Sequence, residues 1–231
     1  MNSISLNDFL ETYGVGGGNA AAVTALPSGV EVVEAMRRRE IGFRRLLPPQ
    51  LVRRLDRGFA RSNTVHPDTG QALYAICRAS GARVVFETGT YWGYSTTYLA
   101  AALQDAGAKQ GRVHTFDIYL HAGKHIPKSL RPRIEMHRGK PSTELMPPVL
   151  AQVTPDLFFQ DSRHDYEGVA GELNVVVPHL KAGAVVLFHD FVMPDVRRAA
   201  QDVLLPDFDL YLLETQDPQQ VGVAVKIGLS R

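Results

Sequence analysis

The sequence predicts an α/β protein: a doubly wound, mostly parallel sheet of seven strands with a final antiparallel strand, preceded by an N-terminal helical arm. Three observations carry this. From Thr69 onward, short apolar runs alternate with stretches whose apolar residues recur every three or four positions. The last two runs, 208–213 and 221–227, are separated only by polar residues and Pro218. That gap is too short for a helical crossover, so one of the two must run antiparallel. The third observation is size. The chain has 231 residues, 45% hydrophobic and 21% charged, which at roughly 150 residues per domain is one domain and about half of another.

Residues 1 to about 28 include the glycine-rich run at 14–22 and read as a flexible or loosely docked arm. No strand precedes these glycines, so they lack the context of a phosphate loop. Val33, Met36, Phe43 and Leu47 mark one helical face, broken by Pro48 and Pro49. Leu51, Val52, Leu55 and Phe59 mark a second, shorter one. Nine arginines fall between residues 37 and 61, mostly off these apolar faces. They read as a solvated basic face docking on acidic residues of a neighbouring subunit. An RNA surface is the sharper alternative, but no stacking aromatics interleave with the arginines. The arm is thus assigned to 1–68, as a lid or dimerisation element, and the catalytic domain to 69–231.

Leu73, Ile76 and Cys77 lie on a helix ending at Gly81, followed by a strand at 83–86. A helix follows from Ser95 to about 106, then strands at 112–116, 134–137 and 157–160. Val169, Leu173, Val176 and Leu180 line a helix stopped by Gly183, before the wholly apolar strand 184–188.

Composition excludes several classes. The net charge is +1, so the chain as a whole is not built to coat nucleic acid. The single cysteine, Cys77, excludes an internal disulfide framework and a cysteine-rich zinc site. No apolar run reaches the length of a membrane span. The start shows no basic segment followed by an apolar core, so no signal peptide is expected and the cytoplasm is the expected compartment.

In an open parallel sheet, ligands bind beyond the carboxyl ends of the strands, where the strand order reverses. The residues after each strand are therefore the candidates. Glu87-Thr88-Gly89-Thr90-Tyr91-Trp92-Gly93-Tyr94-Ser95 follows the strand at 83–86. Its glycines permit a sharp turn and close backbone approach, and Ser95 reads as a helix N-cap. The spacing is G-x-x-x-G rather than the G-x-G-x-x-G of dinucleotide sites. A carboxylate two residues before the first glycine repels phosphate and suits hydroxyls, an ammonium or a sulfonium. Asp117, 24 residues beyond Gly93 and followed by Ile118, ends the next strand. An acid there accepts hydrogen bonds from ribose hydroxyls. Gln160-Asp161-Ser162-Arg163-His164-Asp165-Tyr166 and Leu187-Phe188-His189-Asp190-Phe191 end two further strands.

With these segments the chain, from about Thr69 to its end, resembles the class I S-adenosylmethionine-dependent methyltransferases with their Rossmann-like fold. More narrowly it resembles small-molecule O-methyltransferases of the cephalosporin-hydroxylase-like and macrocin O-methyltransferase group. The resemblance implies S-adenosyl-L-methionine as cofactor, held by Glu87, Gly89, Thr90, Gly93, Ser95, Asp117 and Ile118. It implies Asp161 and His164 as catalytic residues, with His164, or a metal with Asp161, removing the hydroxyl proton. In metal-dependent relatives the carboxylates matching Asp161 and Asp190 hold a divalent cation. Here the matching ligands would be Asp161, His189 and Asp190, for magnesium, manganese or a softer ion, with a metal-free site as the alternative. His189 stands where many metal-dependent relatives have an acid or amide, which argues against magnesium. Lys140 and Ser142 are placed at the border of the adenine, and residues 121–125 as a lid or substrate wall. The expected partners are a small-molecule substrate and a second copy of the chain, in a dimer. The alternatives are an NAD(P)-dependent oxidoreductase, disfavoured by the glycine spacing and Glu87, and a non-catalytic cofactor- or RNA-binding module.

Overall fold

A computed structural model describes residues 1–14 and 65–228. The arginine block and both helices expected between 30 and 59 lie outside the described residues. The chain order is β1 (Ser3–Ile4), α1 (Leu6–Tyr13), α2 (Pro67–Ala79), β2 (Val84–Thr88), α3 (Tyr94–Asp105), β3 (Arg112–Asp117), β4 (Ile134–Arg138), α4 (Ser142–Leu150), β5 (Leu157–Gln160), α5 (Tyr166–Val176), β6 (Val185–Phe188), α6 (Pro194–Leu204), β7 (Phe208–Leu213) and β8 (Val221–Lys226).

The strands form one sheet in the order β1-β7-β8-β6-β5-β2-β3-β4. All neighbours are parallel except β8, which runs antiparallel to both β6 and β7. The seven expected strands are present, and an eighth is added. Ser3 and Ile4 pair in parallel with Leu212 and Leu213 at the sheet's edge. Phe9 and Leu10 of the following helix are buried. The first fourteen residues are therefore docked on the sheet, where the sequence suggested a loose arm. A two-residue strand is too short to leave a periodicity.

Central strands buried on both faces read as continuous apolar runs, and β5 and β6 are buried at every position. Alternate side chains feed two cores. Phe159 and Leu187 face the helices α1, α2 and α3. Phe158 and Phe188 face α4, α5 and α6. Each buried phenylalanine contributes about 2–3 kcal/mol, as an upper bound. Gly183 adopts φ +82°, but it sits in the turn before β6, beyond a 3₁₀ turn (Val177–His179) that ends the helix. Among the described residues, no helix is long and apolar enough to cross a membrane.

The chain winds outward from β2 through β3 to β4, then returns to place β5 on the other side of β2. The order thus reverses between β2 and β5, which sets the crevice where a ligand is expected.

Candidate active site

Two clusters meet at the carboxyl end of the sheet. The first is the turn after β2. Gly89 (φ +92°) and Gly93 (φ +88°) are both left-handed, a conformation glycine adopts without strain. A Cβ on Gly89 would lie 2.0 Å from the carbonyl oxygen of Asp161, and one on Gly93 would lie 2.3 Å from Ile126. The glycines are therefore required by contact between loops, independently of any ligand.

Glu87, Thr90 and Ser95 turn inward. Glu87 is fully buried and accepts a 2.5 Å hydrogen bond from Thr96 Oγ1. Burial pushes its pKa up to about 7, against the opposing pull of the Ser95, Thr96 and Thr115 hydroxyls. Thr90 and Thr115 share a 2.5 Å hydroxyl–hydroxyl bond. Gly93, not Ser95, caps α3; Ser95 lies inside the first turn.

Asp117 ends β3 and holds the neighbouring backbone. Its Oδ2 accepts from the amide of Tyr91 (2.7 Å) and its Oδ1 from that of Tyr119 (2.7 Å). Each oxygen keeps a lone pair. Beside it, Ile118, Tyr119 and Leu120 are 60, 64 and 69% exposed. A carboxylate next to bare apolar side chains fits a nucleoside, with hydroxyls on one and a ring on the other. Residues 121–125 fold over the turn: Gly123 donates to the Tyr91 carbonyl (2.7 Å). Lys124 Nζ lies 3.5 Å above the Trp92 ring, and the His125 ring lies tilted 5.0 Å from it. Lys140 is instead ion-paired with Glu144 on the surface.

The second cluster is charged. His189 Nδ1 lies 3.1 Å from Asp161 Oδ1 and 3.0 Å from Asp190 Oδ2, and its Nε2 lies 3.1 Å from Asp217 Oδ2. Burial disfavours its charge, but the carboxylates, Asp161 foremost, overcome this and hold its pKa up at about 12. Both ring nitrogens thus face carboxylates. Burial pushes Asp190 and Asp217 upward too, and their histidine partners more than reverse it, leaving both well below the usual carboxylate range. Successive strand residues point to opposite faces. Asp190 (φ +51°) escapes this rule and contacts its own neighbour's ring, in a backbone conformation that costs of order 1–3 kcal/mol.

His164, expected as the base, lies beside this cluster with Nε2 2.9 Å from Asp190 Oδ2. That nitrogen is buried, and the Asp190 carboxylate is its partner. One ligand atom each from Asp161, His164 and Asp190 falls within 4.8 Å of the others. The structure thus gathers Asp161, His164 and Asp190, with His189 in contact with both carboxylates.

Two residues were missed by the sequence reading. Asp217, between β7 and β8, accepts from Thr69 Oγ1 (2.5 Å) at the start of α2 as well as facing His189. An acid beside Pro218 in a short connection was its only signal. Glu172 lies buried in α5 and collects Thr88, Gln160, Ser162 and Ser142. Ser142, expected near adenine, faces this carboxylate.

Residues 86–191 match the model of a family described as a methyltransferase domain. The match takes in the Gly89 turn and Asp161, His164, His189 and Asp190, over just under half of the chain. No curated protein matches the sequence. Among solved structures, the chain shares its fold with the O-methyltransferase TomG from Streptomyces achromogenes, involved in tomaymycin synthesis. Identity is 20% and the TM-score 0.63, over 81% of this chain and 95% of that one. An O-methyltransferase from Bacillus cereus gives 21% identity and a TM-score of 0.57 over 94% and 100%. CalS11, a TDP-rhamnose 3'-O-methyltransferase in calicheamicin biosynthesis, gives 20% and 0.58 over 86% and 94%.

Proposed function

We propose that the protein is an S-adenosylmethionine-dependent methyltransferase acting on a hydroxyl oxygen of a small molecule, a natural product in kind, as an enzyme of the cephalosporin-hydroxylase-like and macrocin O-methyltransferase group. The observation that carries this is the convergence of Asp161, His164 and Asp190 at the strand-order reversal, in backbone contact with the Gly89 turn. Carboxylates and an imidazole at that point suit removal of a hydroxyl proton. The O-methyltransferases among its structural relatives support the same acceptor atom.

Bound S-adenosylmethionine supplies an electrophilic methyl group on a sulfonium, so transfer is an in-line displacement and the protein contributes chiefly alignment. Asp117 would receive the ribose hydroxyls, and Ile118 with its apolar neighbours the adenine. Gly89 and Gly93 set the turn beside the cofactor. Glu87, Thr90 and Ser95 hold that turn from within. At the acceptor, His164 takes the hydroxyl proton, and its raised pKa, owed first to Asp190, makes it a stronger acceptor. The same trio fits a divalent cation. Its ligand atoms fall within 4.8 Å of one another, and one nitrogen with two carboxylates suits manganese or a softer ion. Held there, a cation would lower the hydroxyl's pKa. The segment before residue 69, with its arginines, is proposed to cover the site or join two copies in a dimer.

The test is transfer of labelled methyl from S-adenosylmethionine to a panel of phenols, sugar hydroxyls and amines. Hydroxyl acceptors should be methylated. His164→Ala should lower kcat by 10²-fold or more, roughly the worth of a general base, with S-adenosylhomocysteine affinity retained. Chelation should abolish turnover if a cation is used and leave it unchanged if His164 acts alone. Methylation confined to amines would overturn the oxygen assignment.

A further inference from the structure

We propose that His114, Glu135 and His137 form a second, accessory metal site of the zinc class, clasping β3 to the edge strand β4. The site is distinct from the catalytic cluster: it lies along adjacent strands, with β2 between them and the strands that carry Asp161 and His189.

Strand register builds it. His114 is the partner of Glu135 across the parallel β3–β4 pair, and His137 is the partner of Phe116. Positions two apart on a strand share a face, so both histidines and the glutamate project from one side of the sheet. His114 Nδ1 lies 3.4 Å from His137 Nε2 and 3.5 Å from Glu135 Oε2. The three ligand atoms all fall within 4.8 Å of one another.

These separations are informative. Metal–nitrogen bonds of about 2.0–2.1 Å at tetrahedral angles place ligand atoms about 3.3–3.4 Å apart. Octahedral magnesium, at about 2.0–2.1 Å, would need neighbouring ligands about 2.9 Å apart and favours oxygen donors. Two imidazoles and one carboxylate at the observed spacing therefore match zinc or a similar borderline cation. The rings are held in place by packing. His137 stacks on Phe116 at 4.7 Å, and His114 lies 5.3 Å from Phe86. Burial lowers the pKa of both histidines, against the opposing pull of Glu135, which favours the neutral form that ligates metal. Glu135 is 52% exposed on its side chain, so the site opens to solvent. Its other oxygen lies 3.9 Å from Arg112 Nε, leaving Oε2 for a metal.

Such a cation would fasten the sheet's outermost strand to β3, the strand that ends in Asp117. It would be structural or regulatory rather than part of methyl transfer.

The experiment is a zinc titration of the full chain against a chromophoric chelator, with wild type, His137→Gln, Glu135→Gln and Asp161→Asn compared. The wild type should hold a zinc equivalent that survives Asp161→Asn. His137→Gln and Glu135→Gln should each weaken that equivalent by at least about tenfold, the lower end of what even an outer-sphere partner is worth. S-adenosylhomocysteine affinity should stay within about threefold in both, as the check on folding. Glu135→Gln alters an exposed side chain and so carries the test if His137→Gln does not fold. Absence of zinc binding by wild type overturns the proposal. So does equal binding by wild type and both edge-strand variants, or loss of all bound zinc in Asp161→Asn.

Discussion

The turn after β2 and the charge cluster after β5 and β6 face one crevice but are stabilised in opposite ways. The turn is held by backbone. Left-handed glycines shape it, and Asp117 receives two main-chain amides. The cluster is held by charge: His189 sits among Asp161, Asp190 and Asp217, and Asp190 is bent into place at φ +51°. A cofactor common to many reactions can be met by fixed backbone. Proton removal needs groups whose protonation responds to one another, and that coupling leaves this region more sensitive to the loss of one partner.

The contrast can be broken most severely where the two regions touch. Gly89→Val places a Cβ against the Asp161 carbonyl and forces a β-branched residue to positive φ. It should cost more than about 4 kcal/mol of stability, at the extreme of single substitutions, and abolish S-adenosylhomocysteine binding. Urea unfolding and calorimetry read the two effects, and retained affinity would show that the turn does not lean on Asp161. His189→Ala addresses the charge side alone. It removes the cation shared by three carboxylates, and breaking such a buried arrangement costs about 3–5 kcal/mol. Methyl transfer should fall with stability, while S-adenosylhomocysteine affinity changes by less than about threefold. Equal loss of cofactor affinity would erase the distinction between the regions. Asp117→Ala addresses the turn alone. Cofactor affinity should fall about ten- to a hundredfold, the worth of charged hydrogen bonds at about 1.5–3 kcal/mol. Stability should also drop, since the Tyr91 and Tyr119 amides lose their acceptor. An unchanged affinity would remove Asp117 from the ribose.

Legibility in the sequence follows the same division. Strands 157–160 and 208–213 were placed to the residue because buried strands are apolar runs with polar borders. Asp117 and Asp161 stood out because each directly follows such a run, and Asp190 because it lies two residues beyond one. α4 passed unread because Pro147 and Pro148 lie within it, and α6 because its buried face includes the small residues Ala199 and Ala200. Asp217 and Glu172 were not legible. One hangs from a connection outside the strand-end pattern, and the other is a buried acid on a helix, where sequence alone suggests exposure. The inward turn of Glu87 was equally hidden, since residue type does not tell which side of a turn a carboxylate faces.

The pairing of β1 with β7 alters the meaning of the N-terminal region. Residue 14 ends where a Cβ would touch Ala79, at the close of α2, and Val65 is buried just ahead of that helix's start. The catalytic fold is thus discontinuous in sequence, and residues 15–64 are an insertion anchored at both ends rather than a tail. The anchors lie at opposite ends of a thirteen-residue helix, about 20 Å apart at 1.5 Å per residue. A linker of about eight extended residues would bridge that span. The fold's closure therefore does not require the fifty residues between the two anchors.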